Sequence, residues 1–124
     1  MKKSVILIFF LIVLTYALVG CSKSSKMTGQ QVSVGTYVIQ ESEEPVKPFV
    51  SLEDNNKFIF TYSALSSYIP IGSYEVDNGI LTLKTEDGKY KYVFEIKDNT
   101  LIFKAPESSK IPSYAHVADG SIFK

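Results

Sequence analysis

From residue 57 onward the chain alternates oily and polar positions and breaks at short turn sequences. Lys57-Phe58-Ile59-Phe60-Thr61-Tyr62 leads into a loop, and Ser73-Tyr74-Glu75-Val76 leads into Asp77-Asn78-Gly79. Ile80 to Lys84 runs into Glu86-Asp87-Gly88, Lys89 to Lys97 into Asp98-Asn99, and Thr100 to Lys104 follows. Asn-Gly and Asp-Gly tolerate the positive φ that tight hairpins require. Successive hairpins of this kind predict an antiparallel meander. In the run 89–97, Tyr90, Tyr92, Phe94 and Ile96 alternate with Lys89, Lys91, Glu95 and Lys97, with Val93 the one apolar outsider. A period of two puts aromatics on one face and charges on the other. Phe58, Phe60 and Tyr62, then Leu81 and Leu83, then Leu101 and Phe103, repeat the pattern.

The predicted fold is therefore all-β. About seven or eight short strands with one oily face must curl, because open edges invite aggregation. The expectation is a small closed barrel, lipocalin-like, or a sandwich. Gly35-Thr36-Tyr37-Val38-Ile39 and Gly72-Ser73-Tyr74-Glu75-Val76 are each expected to begin a strand. Glu41–Pro48 and Ala105–Gly120, both Pro-broken, read as loops, Ser63–Tyr68 as a single turn closed by Pro70, and Ser121-Ile122-Phe123 as a last short strand.

The first 31 residues follow another rule. Met1-Lys2-Lys3 is a positive start, Val5 to Val19 is apolar but for Thr15, and Gly20 precedes Cys21, the chain's single cysteine. This is the layout of a secretory signal, and the run is shorter than the ~20 apolar residues that cross a bilayer. Leu18-Val19-Gly20-Cys21 resembles the lipobox of bacterial lipoproteins. The resemblance implies a diacylglyceryl thioether on Cys21, cleavage just before it, and acylation of the new amino terminus. An uncleaved anchor helix is the alternative, and either way the chain is held at a membrane. The expected division is 1–20 signal peptide, 21–31 attachment cysteine and flexible linker, and 32–124 β domain. The expected location is the extracytoplasmic face of the cell membrane. Two acyl chains anchor firmly, whereas one alone is marginal. Ser22 to Gln31 is polar and aperiodic, and ten such residues span roughly 15–20 Å on average. With one cysteine the domain forms no internal disulfide.

Composition narrows the function classes. The chain has 13 Lys, no Arg and 13 acids, for a formal charge of zero. Arg supplies the planar fork that grips phosphate, and no basic stripe is present, so nucleic acid is not an expected partner. His116 is the only histidine and lies in a predicted loop. With no second His and no other Cys, neither a metal nor a cofactor is expected, and no nucleophile elbow supports a Ser-His-Asp triad. Asp54-Asn55-Asn56 and Asp77-Asn78-Gly79 offer oxygens that suit Ca²⁺, although turn formation alone accounts for them. Glu43-Glu44 is a carboxylate pair in a loop. No catalytic residue emerges, and the chain is expected not to be an enzyme.

The tyrosines have two readings. Tyr37, Tyr62, Tyr74, Tyr90 and Tyr92, joined by Tyr68 and Tyr114, either line a cup for a small ligand or fill the core. A barrel of about eight strands leaves little spare interior, and a buried tyrosine needs a partner for its hydroxyl.

The stretch Lys57–Phe103, with SALSSYIPIGSYEV, DNGILTL, EDGKYKYVFEI and DNTLIF, is similar to a small extracytoplasmic β domain of low-GC Gram-positive bacteria. Such domains occur as free lipoproteins and as tails of antibiotic-sensor-type membrane metallopeptidases. The resemblance implies a fold and an address. The peptidase's zinc-binding His-Glu pattern is absent from the sequence. The expected function is a lipid-anchored binding or sensory module that engages an unknown protein or small molecule. The alternative is an envelope protein whose Lys89, Lys91 and Lys97 contact anionic wall polymer.

Overall fold

The computed structural model describes residues 32–124. The signal segment, Cys21 and the linker lie outside the described residues. The eight strands are β1 (Gly35–Val38), β2 (Phe49–Glu53), β3 (Lys57–Thr61), β4 (Ile71–Asp77), β5 (Ile80–Thr85), β6 (Lys91–Lys97), β7 (Thr100–Phe103) and β8 (Ile122–Phe123). They form one sheet in chain order, each pair antiparallel.

The sheet then meets itself. Val38 N–H donates to Lys124 O at 3.0 Å, Lys124 N–H returns to Val38 O at 2.9 Å, and Gln40 N–H donates to Ile122 O at 2.8 Å. These bonds join the first strand to the last and make a nearly closed barrel rather than a sandwich. Closure satisfies backbone groups that an open sheet exposes.

Local chemistry explains the turns. Asn78 (φ 49°) with Gly79 (φ 74°), and Asp98 (φ 51°) with Asn99 (φ 59°), put two consecutive residues in the left-handed region, as two-residue hairpins demand. Asn55 and Asn56 do the same after Asp54 (φ 61° and 57°). The acidic turn motifs thus serve to reverse the chain. One end of the barrel carries these short turns and is the turn end. The other carries residues 39–48, 62–70, 86–90 and 104–121 and is the loop end.

The inward face is the one the alternation predicts. Phe58, Phe60, Leu81, Leu83, Phe94 and Leu101 are all buried. Phe60 is central, and its ring meets Tyr62, Tyr92, Phe94 and Phe123 edge-on at centroid distances of 5.8, 5.1, 5.7 and 6.2 Å. Edge-to-face pairs set a ring's positive edge against its neighbour's negative face.

Three details differ from the sequence reading. Phe49–Glu53 is a strand, paired with both β1 and β3, although its five residues follow a Pro-broken loop. β6 begins at Lys91, and Tyr90 stands before it in the 86–90 loop. Val93, on the outward face, is buried. β7 is shorter than β6, and the stretch after it covers the exposed edge. Lys104 N–H donates to Val93 O at 2.9 Å, Val93 N–H to Ser108 Oγ at 2.8 Å, and Lys91 N–H to Ser109 Oγ at 2.9 Å. Two serine hydroxyls thus replace a missing strand.

Candidate functional site

The barrel sorts the five candidate tyrosines into two groups. Tyr37 and Tyr74 belong toward the turn end. Tyr37 is buried, and its hydroxyl donates to Ser33 O at 2.7 Å, just before β1. Burial raises its pKa, the Ser33 bond partly offsets that, and the nearby Tyr74 hydroxyl adds to it. Tyr62, Tyr90 and Tyr92 gather at the loop end, where Tyr68 joins them.

Tyr62 and Tyr92 are buried pillars of this second group. Burial drives the Tyr92 hydroxyl well above the ordinary phenol range, with Tyr62, Tyr68 and Tyr90 as further contributors. It therefore stays neutral. Tyr92 and Tyr90 stack near-parallel (6.5 Å, 17°), and Tyr90 meets Tyr68 at 5.3 Å with a 57° tilt. A continuous aromatic path thus runs from the core to the surface, where Tyr68 and Tyr90 are 37% and 38% exposed. Leu65 and Ile69, in the same 62–70 loop as Tyr68, are also exposed.

Polar side chains fix the two rim loops. The Ser66 hydroxyl donates to Tyr68 O at 2.6 Å, accepts from Tyr68 N–H at 3.2 Å, and lies 3.4 Å from the Tyr62 hydroxyl. In the 86–90 loop the Thr85 hydroxyl donates to Asp87 Oδ1 at 2.6 Å and accepts from Tyr90 N–H at 3.0 Å. Lys89 N–H reaches Asp87 Oδ1 at 3.0 Å, and the Tyr68 hydroxyl donates to Asp87 Oδ2 at 2.9 Å. The last bond latches one loop to the other.

Asp87 is held below the usual aspartate range, chiefly by the Thr85 hydroxyl and then by the Lys89 N–H, with Tyr68 adding to the effect. A carboxyl whose folded pKa is depressed contributes stability above its unfolded pKa and loses it as pH falls through the folded value. The carboxylate form that accepts these bonds is therefore favoured at neutral pH and gives way on acidification at a lower pH than an ordinary aspartate would. Carboxyl-detected NMR titration is expected to place Asp87 below an ordinary aspartate, with Tyr68→Phe moving it partway back. An ordinary midpoint in the wild type would refute the network.

The remaining candidates are dispersed. His116 Nε2 lies 3.5 Å from Glu44 Oε1, with the imidazole largely in solvent, and among the described residues it bonds to no serine. No group of three or more His, Cys, Asp or Glu side chains gathers in metal-binding geometry among the described residues. Lys89 and Lys91 stand near the loop end and Lys97 at the turn end. The outward face between them carries paired charges, Lys84 with Glu75 at 3.0 Å and Lys104 with Glu95 at 3.8 Å. It is mixed in sign rather than basic.

Sequence reasoning names the tyrosines and reads Asp87 only as a turn residue, and it passes over Leu65, Ile69 and Thr85. One signal was available: Leu65 and Ile69 are large apolar residues inside a turn-forming stretch, where nothing local buries them. The chain matches no family model, no curated protein and no solved structure.

Proposed function

We propose that this chain is a lipid-anchored extracytoplasmic β-barrel module that binds a partner or a small ligand and carries out no catalysis. The observation that carries the reading is the rim formed by Leu65, Tyr68, Ile69 and Tyr90, exposed at the loop end. Residue 32 enters at the opposite end. A tether running back from there to Cys21 leaves the rim facing away from the lipid. Exposed apolar clusters on rigid scaffolds are where recognition concentrates. The latch through Asp87 preorganises the rim, which lowers the ordering cost of binding. The wall-polymer reading draws less support, because the outward lysines stand among paired acids.

The test uses the full chain expressed in a Gram-positive bacterium and extracted from its membranes. Mass spectrometry is expected to find a mature chain that begins at Cys21 and carries a diacylglyceryl group. Cys21→Ser is expected to remain uncleaved and unlipidated. An unmodified Cys21 in the wild type would overturn the address. In the same extract, a bound molecule or cross-linked partner lost on Tyr68→Ala with Tyr90→Ala would support the rim, and retention in that variant would refute it.

A further inference from the structure

The outer wall of the barrel divides into two chemically different halves. Along β4 to β6 the outward positions carry charges of both signs, Glu75 with Lys84 and then Lys91, Glu95 and Lys97. Along β1 to β3 they carry almost none. Val50, Leu52, Phe58 and Phe60 point inward and are buried. Val38, Phe49, Ser51, Ile59 and Thr61 therefore point outward, and all are half-buried. Ile71, exposed at the start of β4, is the cross-strand partner of Ile59 and extends this wall. The charges in β1 to β3 are Glu53 and Lys57, which sit opposite each other on β2 and β3 at the turn end.

Three features of the wall select its occupant. The hydroxyls of Ser51 and Thr61 stand among its apolar side chains, and against hydrocarbon they would lose water without gaining partners. This disfavours lipid. Glu53 and Lys57, next, make the wall self-complementary. A second copy faces it through a two-fold axis that runs along the strands between β2 and β3. That axis sets β2 of each copy against β3 of the other, so Glu53 meets Lys57 twice and Ser51 meets Ile59 twice. The two sheets then lie close to aligned, as face-to-face sheets pack. A two-fold axis across the strands sets the Glu53–Lys57 end of each copy against the Phe49–Thr61 end of the other, which leaves all four charges unmatched. The tether makes the same choice. Gly35 pairs with Leu52 beside the 54–56 turn, so residue 32 enters at the turn end. The axis along the strands keeps both entry points on one side, as two copies anchored in one membrane require.

We infer that the β1–β3 wall is the interface of a parallel dimer, with Glu53 of each copy paired to Lys57 of the other. The common orientation of the two copies rests on the lipid anchor proposed above, and the inference goes beyond that reading in naming a partner. Two convex walls touch along a stripe, smaller than the ~800 Å² per partner of a standard interface. The dimer therefore forms between copies confined to one membrane rather than between free chains. Its consequence is bivalence. The 62–70 loop follows β3, so the dimer presents two rims side by side, and a partner that engages both is held with avidity.

The test uses the full chain in bacterial membranes where its mass has confirmed the diacylglyceryl group on Cys21, so a negative result counts against the wall and not against the anchor. A photo-crosslinking residue replaces Ile59 on the wall, or Thr82 on the charged half as the control. Irradiation is expected to give a covalent dimer from position 59 and none from position 82. Glu53→Lys or Lys57→Glu alone is expected to reduce the dimer about fivefold or more, since two exposed ion pairs become repulsions. Glu53 and Lys57 are also neighbours within one chain, so the deciding arm mixes the two variants, differently tagged, in one membrane. Copies with two lysines then face copies with two glutamates, and cross-linking between the two tags is expected to recover to the wild-type yield. Monomer alone from position 59, adducts with lipid or with another protein in place of the dimer, or no recovery in the mixture overturns the inference.

Discussion

Replacing Gly72 by alanine is expected to lower the melting temperature by roughly 12–24 °C, the largest effect we foresee for a single added methyl group. Gly72 lies in β4 opposite Thr85 of β5. A Cβ at this position runs into the carbonyl oxygen of Lys84 and comes within 2.9 Å of both Glu86 N and Thr85 Cα. All three are backbone atoms, so no side chain can swing aside and the two strands must separate. Overpacking of this kind costs up to about 3 kcal/mol and occasionally more, and a domain of this size loses about 4–8 °C per kcal/mol. Gly88→Ala is the contrast. Gly88 has open space around its Cβ position but a φ of +71°, so the cost there is only the left-handed strain of about 1–2 kcal/mol. Thermal denaturation followed by circular dichroism checks both. A Gly72→Ala protein melting within 3 °C of the wild type would show that β4 and β5 do not approach so closely.

Phe60→Ala is expected to destabilise the domain by about 3–5 kcal/mol, the usual range for emptying a buried aromatic site. Phe60 is fully buried and touches four other rings edge-on. The void would open beneath Tyr62 and Tyr92, so the loss of packing would reach the rim as well. Net stabilities of 5–15 kcal/mol make this a large fraction of the total. Urea titration measures it. Leu65→Ala, at a side chain 82% exposed, is expected to stay within about 0.5 kcal/mol of wild type. Similar losses for the two variants would mean that Leu65 is packed and the rim is not a free surface.

Much of the fold was legible because it rests on local rules. The inward faces of β3, β5 and β7 follow from a period of two, and the turns at Asn78-Gly79 and Asp98-Asn99 from which residues accept positive φ. Val93 shows the limit of periodicity. It is correctly placed on the outer face, yet it is buried because Ser108 and Ser109 return over it from a distant, Pro-containing stretch. β2 shows another limit, since five residues between a loop and a turn carry too short a pattern to stand out. In the candidate site, the aromatic types were legible and their grouping was not. Tyr74 and Tyr92 are both cross-strand partners of Leu83, yet strand tilt carries them toward opposite ends of the barrel.

By itself the sequence determined an all-β meander with one oily face, the local geometry of its hairpins, and the resemblance of its first residues to a lipoprotein signal. These depend on neighbours a few positions apart, where backbone torsions and alternation act directly. Tertiary structure alone decided that the sheet closes, through Val38 and Gln40 meeting Lys124 and Ile122 from opposite ends of the domain. It also decided that Tyr62, Tyr68, Tyr90 and Tyr92 share one rim. Those outcomes depend on how far each strand slides along the next, a register that accumulates around the barrel and is written in no single segment.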